Sequence, residues 1–262
     1  MGAKYGKSGR YDQTMYYDAL STNHIVYKDI YHLNHINLRF DGSKMLINEN
    51  NKILDFNESY LANHIGINTL ALSKDGHIII GLQGARSEVS AGKYINTGSG
   101  SLVYKDFKKF KKNKSLKDVI IYGTERELKE ETGIPKNTKI KTELIGYMQV
   151  LKYGAKPDYF SVSVIDLNAS EIIDFANSSK EIKEGLMGKY SSYPVGLKNI
   201  EENVIKEIDK LQINKNYTSI NGKEELIRSA VQLEASKVII NDHLKRGVRV
   251  FENILNNKEW KQ

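Results

Sequence analysis

The sequence has 262 residues, 40% of them hydrophobic and 27% charged, with 20 Gly and 3 Pro; this fits a folded chain of roughly one to two domains and excludes fibrous and low-complexity classes. It has no Cys, so disulfides, thiolate zinc sites, Fe–S clusters and cysteine nucleophiles are excluded, and any metal must take carboxylate, imidazole or carbonyl ligands. Of the formal charge of +7, nearly all lies between Lys105 and Lys117, where seven lysines stand against the single acid Asp106; this argues against an overall basic coat for nucleic acid and reads as a solvated surface loop.

Taken in chain order, residues 1–60 are polar and rich in Tyr, Asn and His, with short strand-like runs at Ile36–Phe40 and Lys44–Ile47. No apolar signal segment follows Met1 and no run approaches a membrane span, so a cytoplasmic location is expected. Ile67–Leu72 and His77–Leu82 are β-rich runs around Lys74-Asp75-Gly76, whose Asp-Gly step predicts a tight hairpin. A loop rich in Gly and Ser from Gly84 to Gly92 precedes an extended piece at Tyr94–Asn96. The glycines of Thr97-Gly98-Ser99-Gly100-Ser101 then offer a site where another group approaches the backbone. A helix is predicted over Asp118–Thr132, with Asp118 as N-cap and Gly133 and Pro135 as stop signals. Leu144–Leu151 and Tyr159–Leu167 read as strands. Ile200 to Leu211 and Leu226 to Ile239 carry apolar residues at helical spacing.

The chemistry concentrates in Arg126-Glu127-Leu128-Lys129-Glu130-Glu131-Thr132-Gly133-Ile134. On a helix, Glu127, Glu130 and Glu131 fall at i, i+3 and i+4, which puts three carboxylates on one face within a turn. Like charges so close repel, so the arrangement calls for free solvation or a hard divalent cation such as Mg²⁺. Arg126 adds a planar cation able to hold a carboxylate in one orientation. Leu128 points to the core. The six His show no metal-ligand spacing, and the tyrosines and Trp260 are assigned packing or surface roles.

These nine residues resemble the second half of the Nudix box, R-E-U-x-E-E-x-G-U with U aliphatic, and match it at all seven specified positions. The resemblance spans about residues 64–170. It implies a Nudix-like α/β/α sandwich with a mixed sheet, to which this chain would add an N-terminal extension over 1–62 and C-terminal helices over 199–262, leaving 63–198 as the Nudix-like domain. The activity it implies is a pyrophosphohydrolase cleaving phosphoric anhydride bonds in a nucleoside diphosphate derivative: a nucleotide sugar, a dinucleotide or a nucleoside triphosphate. Mg²⁺ or Mn²⁺ would be held by Glu127, Glu130 and Glu131, with Arg126 orienting them and Glu130 as the first choice of general base. Glu181 and Glu184, in a charged stretch read as a loop, are the alternative bases. A Nudix-fold sensor that binds a nucleotide metabolite without turnover is the alternative function.

The first half of the box departs from the pattern. Eight residues before Arg126 the family has Glu and this chain has Asp118, a shorter carboxylate still able to bind a metal or its water shell; fourteen before it the family has Gly and this chain has Lys112. The family's glycine turn is resembled instead by Gly98 and Gly100, which become the candidate substrate-binding positions, and a basic insertion at about 102–117 accounts for the difference. The implied partner is a small nucleotide-derived molecule; nucleic acid is a less favoured alternative, a membrane is not implied, and a homodimer is compatible.

Overall fold

The computed structural model describes residues 13–32, 35–56, 58–84, 94–109 and 115–194. The elements in order are α1 (Tyr16–Ser21), β1 (Asp29–His32), β2 (His35–Asp41), β3 (Gly66–Ser73), β4 (His77–Gln83), β5 (Tyr94–Asn96), β6 (Ser99–Ser101), α2 (Tyr104–Lys109) and α3 (Leu116–Thr132). Then follow β7 (Ile140–Val150), β8 (Lys156–Ile165), α4 (Ala169–Asn177), α5 (Lys180–Lys183) and β9 (Met187–Pro194). The stripes at 200–211 and 226–239, and most of the Gly84–Gly92 loop, lie outside the described residues. Among the described residues no helix is long and apolar enough to cross a membrane.

Contacts divide the chain into two compact units. The first comprises Met1–Gly66, Ser101–Lys111 and Tyr147–Tyr159; the second comprises Ile67–Gly100, Lys112–Gly146 and Phe160–Gln262. In the first, β1 and β2 form a two-stranded antiparallel sheet with Ile30 opposite Phe40, and Val26, Leu46, Leu61 and Ala155 form a small core. Asn23 ties this unit together: its side chain donates to the Gly154 carbonyl at 3.1 Å and accepts from the Asn63 N–H at 2.9 Å. The run at Lys44–Ile47 is not a strand. Asp41 caps the Ser43 N–H at 2.9 Å, and Gly42–Met45 winds into a 3-10 turn that buries Leu46.

A seven-stranded sheet runs in the order β5-β4-β3-β8-β7, with β6 paired to β3 and β9 to β4. It is mixed. β3 and β4 form the expected antiparallel hairpin, with Ala71 opposite Ile79 and Gly76 at φ +79° in the turn. Between β8 and β3, Ser161 bonds the Asn68 carbonyl and Ser163 bonds Thr69, positions that climb together as in parallel neighbours. β8 does not alternate between core and solvent: Phe160, Val162 and Val164 are buried, and so are Ser161 and Ser163, because the strand lies inside the sheet with both faces covered. Ala71 and Ile79 of the sheet, Leu128 of α3, Ile172 and Ala176 of α4, and Met187 and Tyr190 of β9 share one core.

Three local readings are corrected. The N-cap of α3 is Ser115 and not Asp118. Ser115 is extended at φ −76°, ψ 160°; its hydroxyl accepts the Asp118 N–H at 3.3 Å, and the Asp118 carboxylate accepts the Ser115 N–H at 2.9 Å, a capping box with Asp at N3. Within the lysine run read as a loop, Tyr104–Lys109 is helical, because the Asp106 carboxylate accepts the Val103 N–H at 3.0 Å and closes the first turn. The charged stretch after Ser179 forms the short helix α5, capped by that serine's hydroxyl on the Ile182 N–H at 3.5 Å.

Candidate active site on helix α3

α3 ends on Gly133, which is left-handed at φ +66° and donates its N–H to the Lys129 carbonyl at 2.9 Å. That stop fixes the last turn. Leu128 is fully buried beneath it, which turns Glu127, Glu130 and Glu131 away from the core centre. Arg126 stands between two of them, its Nη1 at 3.1 Å from Glu127 Oε1 and 2.8 Å from Glu130 Oε2. The side chains of Arg126 and Glu127 are 18% and 17% exposed, whereas that of Glu130 is 59% exposed. A guanidinium shared by two carboxylates offsets the repulsion that the spacing creates.

Glu131 has a different post. It is nearly buried, and both its oxygens accept backbone donors of the glycine turn: Oε2 from the Gly98 N–H at 2.7 Å and Oε1 from the Ser99 N–H at 3.0 Å. Gly98 adopts φ +80°, and a Cβ there would stand 2.7 Å from Thr69 Cγ2 and 3.1 Å from Leu128 Cβ. At Gly100 a Cβ would stand 2.5 Å from the Glu127 carboxyl carbon, so this glycine forms a cradle that holds the Glu127 carboxylate against the backbone. The turn and the helix face the sequence singled out are therefore brought together through Glu131 on Gly98 and Ser99, and Glu127 on Gly100.

The remaining candidates stand elsewhere. Asp118 is engaged in the cap, its Oδ2 also taking the Ser115 hydroxyl at 2.8 Å. Glu184 is exposed and pairs with Lys180 Nζ at 3.4 Å. The side chain of Glu181 lies outside the described residues. Among the described residues no group of three or more His, Asp or Glu stands together as a metal-holding set. Carboxylate oxygens are the donors a hard cation takes, and the missing Cβ at Gly100 leaves space for the Glu127 carboxylate. In this arrangement Arg126 occupies two of the three carboxylates.

One functional-looking carboxylate was missed. Glu125, one residue before the box, is half-buried on the inward side of α3. Burial raises its pKa, against opposing pulls from a hydrogen bond with Thr142 and the charge of Lys129. Thr142 Oγ1 lies 2.8 Å from Ser163 Oγ, and Ser163 Oγ lies 2.7 Å from Thr69 Oγ1, a buried hydroxyl chain across β7, β8 and β3. The signal was available: Glu125 precedes Leu128 and Thr132 by three and seven positions, the spacing of an inward face.

The fold and site define a mixed α/β protein with an acidic, arginine-braced helix end docked on a glycine turn. No family model and no curated protein matches the chain by sequence. Solved structures do match it. A Nudix hydrolase from Nitrosomonas europaea is 13% identical, with 66% of this chain and 88% of that one covered and a TM-score of 0.31. The MutT protein from Methanosarcina mazei Go1 is 16% identical over 55% of this chain and 79% of that one, with a TM-score of 0.30. The protein DR0079 from Deinococcus radiodurans is 9% identical over 63% of this chain and 87% of that one, with a TM-score of 0.35.

Proposed function

We propose that this protein is a metal-dependent pyrophosphohydrolase acting on a nucleoside diphosphate derivative such as a nucleotide sugar, a dinucleotide or a nucleoside triphosphate. The observation that carries the reading is the single turn of α3 that presents Glu127 and Glu130 around Arg126 while Glu131 anchors the Gly98–Gly100 turn. Glu127, Glu130 and Glu131 are the residues that would hold Mg²⁺ or Mn²⁺. A bound divalent ion supplies charge neutralisation at phosphate oxygens and a water of lowered pKa. Glu130 is the base: its carboxylate, the most exposed of the three, takes the proton of the attacking water. Arg126 fixes the orientation of Glu127 and Glu130, and admitting a cation means loosening that bracket. Glu131 holds the backbone of the glycine turn, whose close approach suits a phosphate chain.

The test is incubation with Mg²⁺ or Mn²⁺ and a panel of nucleoside diphosphate compounds, with phosphorus-containing products followed. Glu130→Gln is expected to fold with an unchanged melting temperature and to lose about 100-fold or more in turnover; full activity in that variant removes Glu130 from the mechanism. A second reading, a sensor that binds without turnover, draws on the same bracket, since the Arg126 guanidinium is shared between Glu127 and Glu130. Tight binding across the panel with no product selects the sensor.

A further inference from the structure

The lysine run has a feature that its composition does not disclose. Its only acid, Asp106, is 1% exposed and turned inward to close the first turn of α2 on the Val103 N–H. Lys105, Lys108 and Lys109 are all exposed. The helix therefore sorts its charges, withdrawing the one negative group from the surface and leaving three ammonium groups outside. Beside them Tyr104 is 47% exposed, and Lys108 Nζ lies over its ring at 4.6 Å from the centroid. Further lysines at 111, 112, 114 and 117 continue the run in sequence.

We propose that the outward face of α2, formed by Tyr104, Lys105, Lys108 and Lys109, docks single-stranded nucleic acid. Charge complementarity and ring chemistry choose the occupant together. A phosphodiester chain offers one negative charge per nucleotide to the three lysines, and its unpaired bases offer π faces to the tyrosine; a free phosphate or an acidic peptide would leave the ring unused. Duplexes hide their base faces in the stack, so the preference is for single strands. The surface is separate from the hydrolytic reading and needs no turnover.

The experiment is fluorescence anisotropy of a labelled oligouridylate about 20 nucleotides long with the full chain in EDTA, across a salt series. Wild-type protein is expected to bind, and a Lys105→Ser/Lys108→Ser/Lys109→Ser variant to lower the slope of log affinity against log salt by about two, since each phosphate contact on a single strand contributes about 0.7. Tyr104→Ala is expected to weaken binding about 5-fold or more while leaving that slope unchanged, because stacking carries no counterion release. Circular dichroism confirms that the variants fold. Absence of binding at low salt, a slope unaltered by the triple substitution, or equal binding of the wild type and Tyr104→Ala to anionic lipid vesicles and to RNA each overturns the proposal. Because the assay excludes divalent ions, its failure leaves the hydrolase reading untouched, and a failed product screen leaves this one untouched.

Discussion

Gly98 shows how one residue can be fixed by two demands at once. Its φ of +80° belongs to the region that side-chain-bearing residues avoid, and its missing Cβ makes room for Thr69 and Leu128. Gly98→Ala is therefore expected to lower stability by about 1–3 kcal/mol, read from denaturant unfolding; an unchanged midpoint would show that the turn relaxes at no cost. His64 is subject to the opposite kind of constraint, an electrostatic one. Burial first, and the charge of Lys156 second, hold its pKa below the ordinary 6.5. The folded state thus favours neutral imidazole. As pH falls through about 6.5 the unfolded chain takes up a proton that the folded chain resists, so stability drops until the folded group also titrates. The melting temperature of wild type is expected to fall more steeply than that of His64→Gln between about pH 7 and pH 5, and parallel curves would place the acid sensitivity elsewhere.

At the scale of elements, what sequence reveals depends on whether the determining contact is local. The β3–β4 hairpin was legible because Asp75-Gly76 specifies its own turn, and the end of α3 because Gly133 supplies its own left-handed stop. The start of α3 was misplaced by three residues because Ser115 and Asp118 cap each other, and either one alone passes for the N-cap. α2 was hidden although its determining contact is also local: Lys105, Lys108 and Lys109 beside an exposed Tyr104 look like solvated coil until Asp106 is seen to turn inward onto the Val103 N–H. The acidic face of α3 was legible from its i, i+3, i+4 spacing, but not the division of labour within it, because the partner of Glu131 lies more than thirty positions away. Leu128 links that face to the core. With no exposure and a position between the glycine turn and the Ile172 cluster, Leu128→Ala is expected to cost about 2–5 kcal/mol in urea unfolding. A loss below about 1 kcal/mol would mean that the site collapses around the gap.

At the scale of the whole molecule, the two compact units differ in what holds each of them. Among the described residues the second has one cluster of ten buried apolar residues drawn from its strands, α3, α4 and the connections between them, and buries further strand residues such as Ile67, Leu72 and Val162. Among the described residues the first has a smaller cluster, Val26, Leu46, Leu61 and Ala155, with Ala19 and Leu102 also buried, and its two-stranded sheet is a form that is marginal without further packing. Among the described residues it also carries most of the exposed large apolar side chains, including Tyr17 at 76% and Tyr60 at 83%. Since the free energy of local opening tracks the apolar surface a segment buries, the amides of residues 23–63 are expected to exchange with solvent through a partial opening while those of β3 and β4 still wait for global unfolding. Hydrogen exchange followed by mass spectrometry at increasing denaturant reads this directly. Two populations whose exchange converges only near the unfolding midpoint bear it out, whereas one shared opening energy from Asn23 to Leu82 would mean that the small core opens only when the large one does.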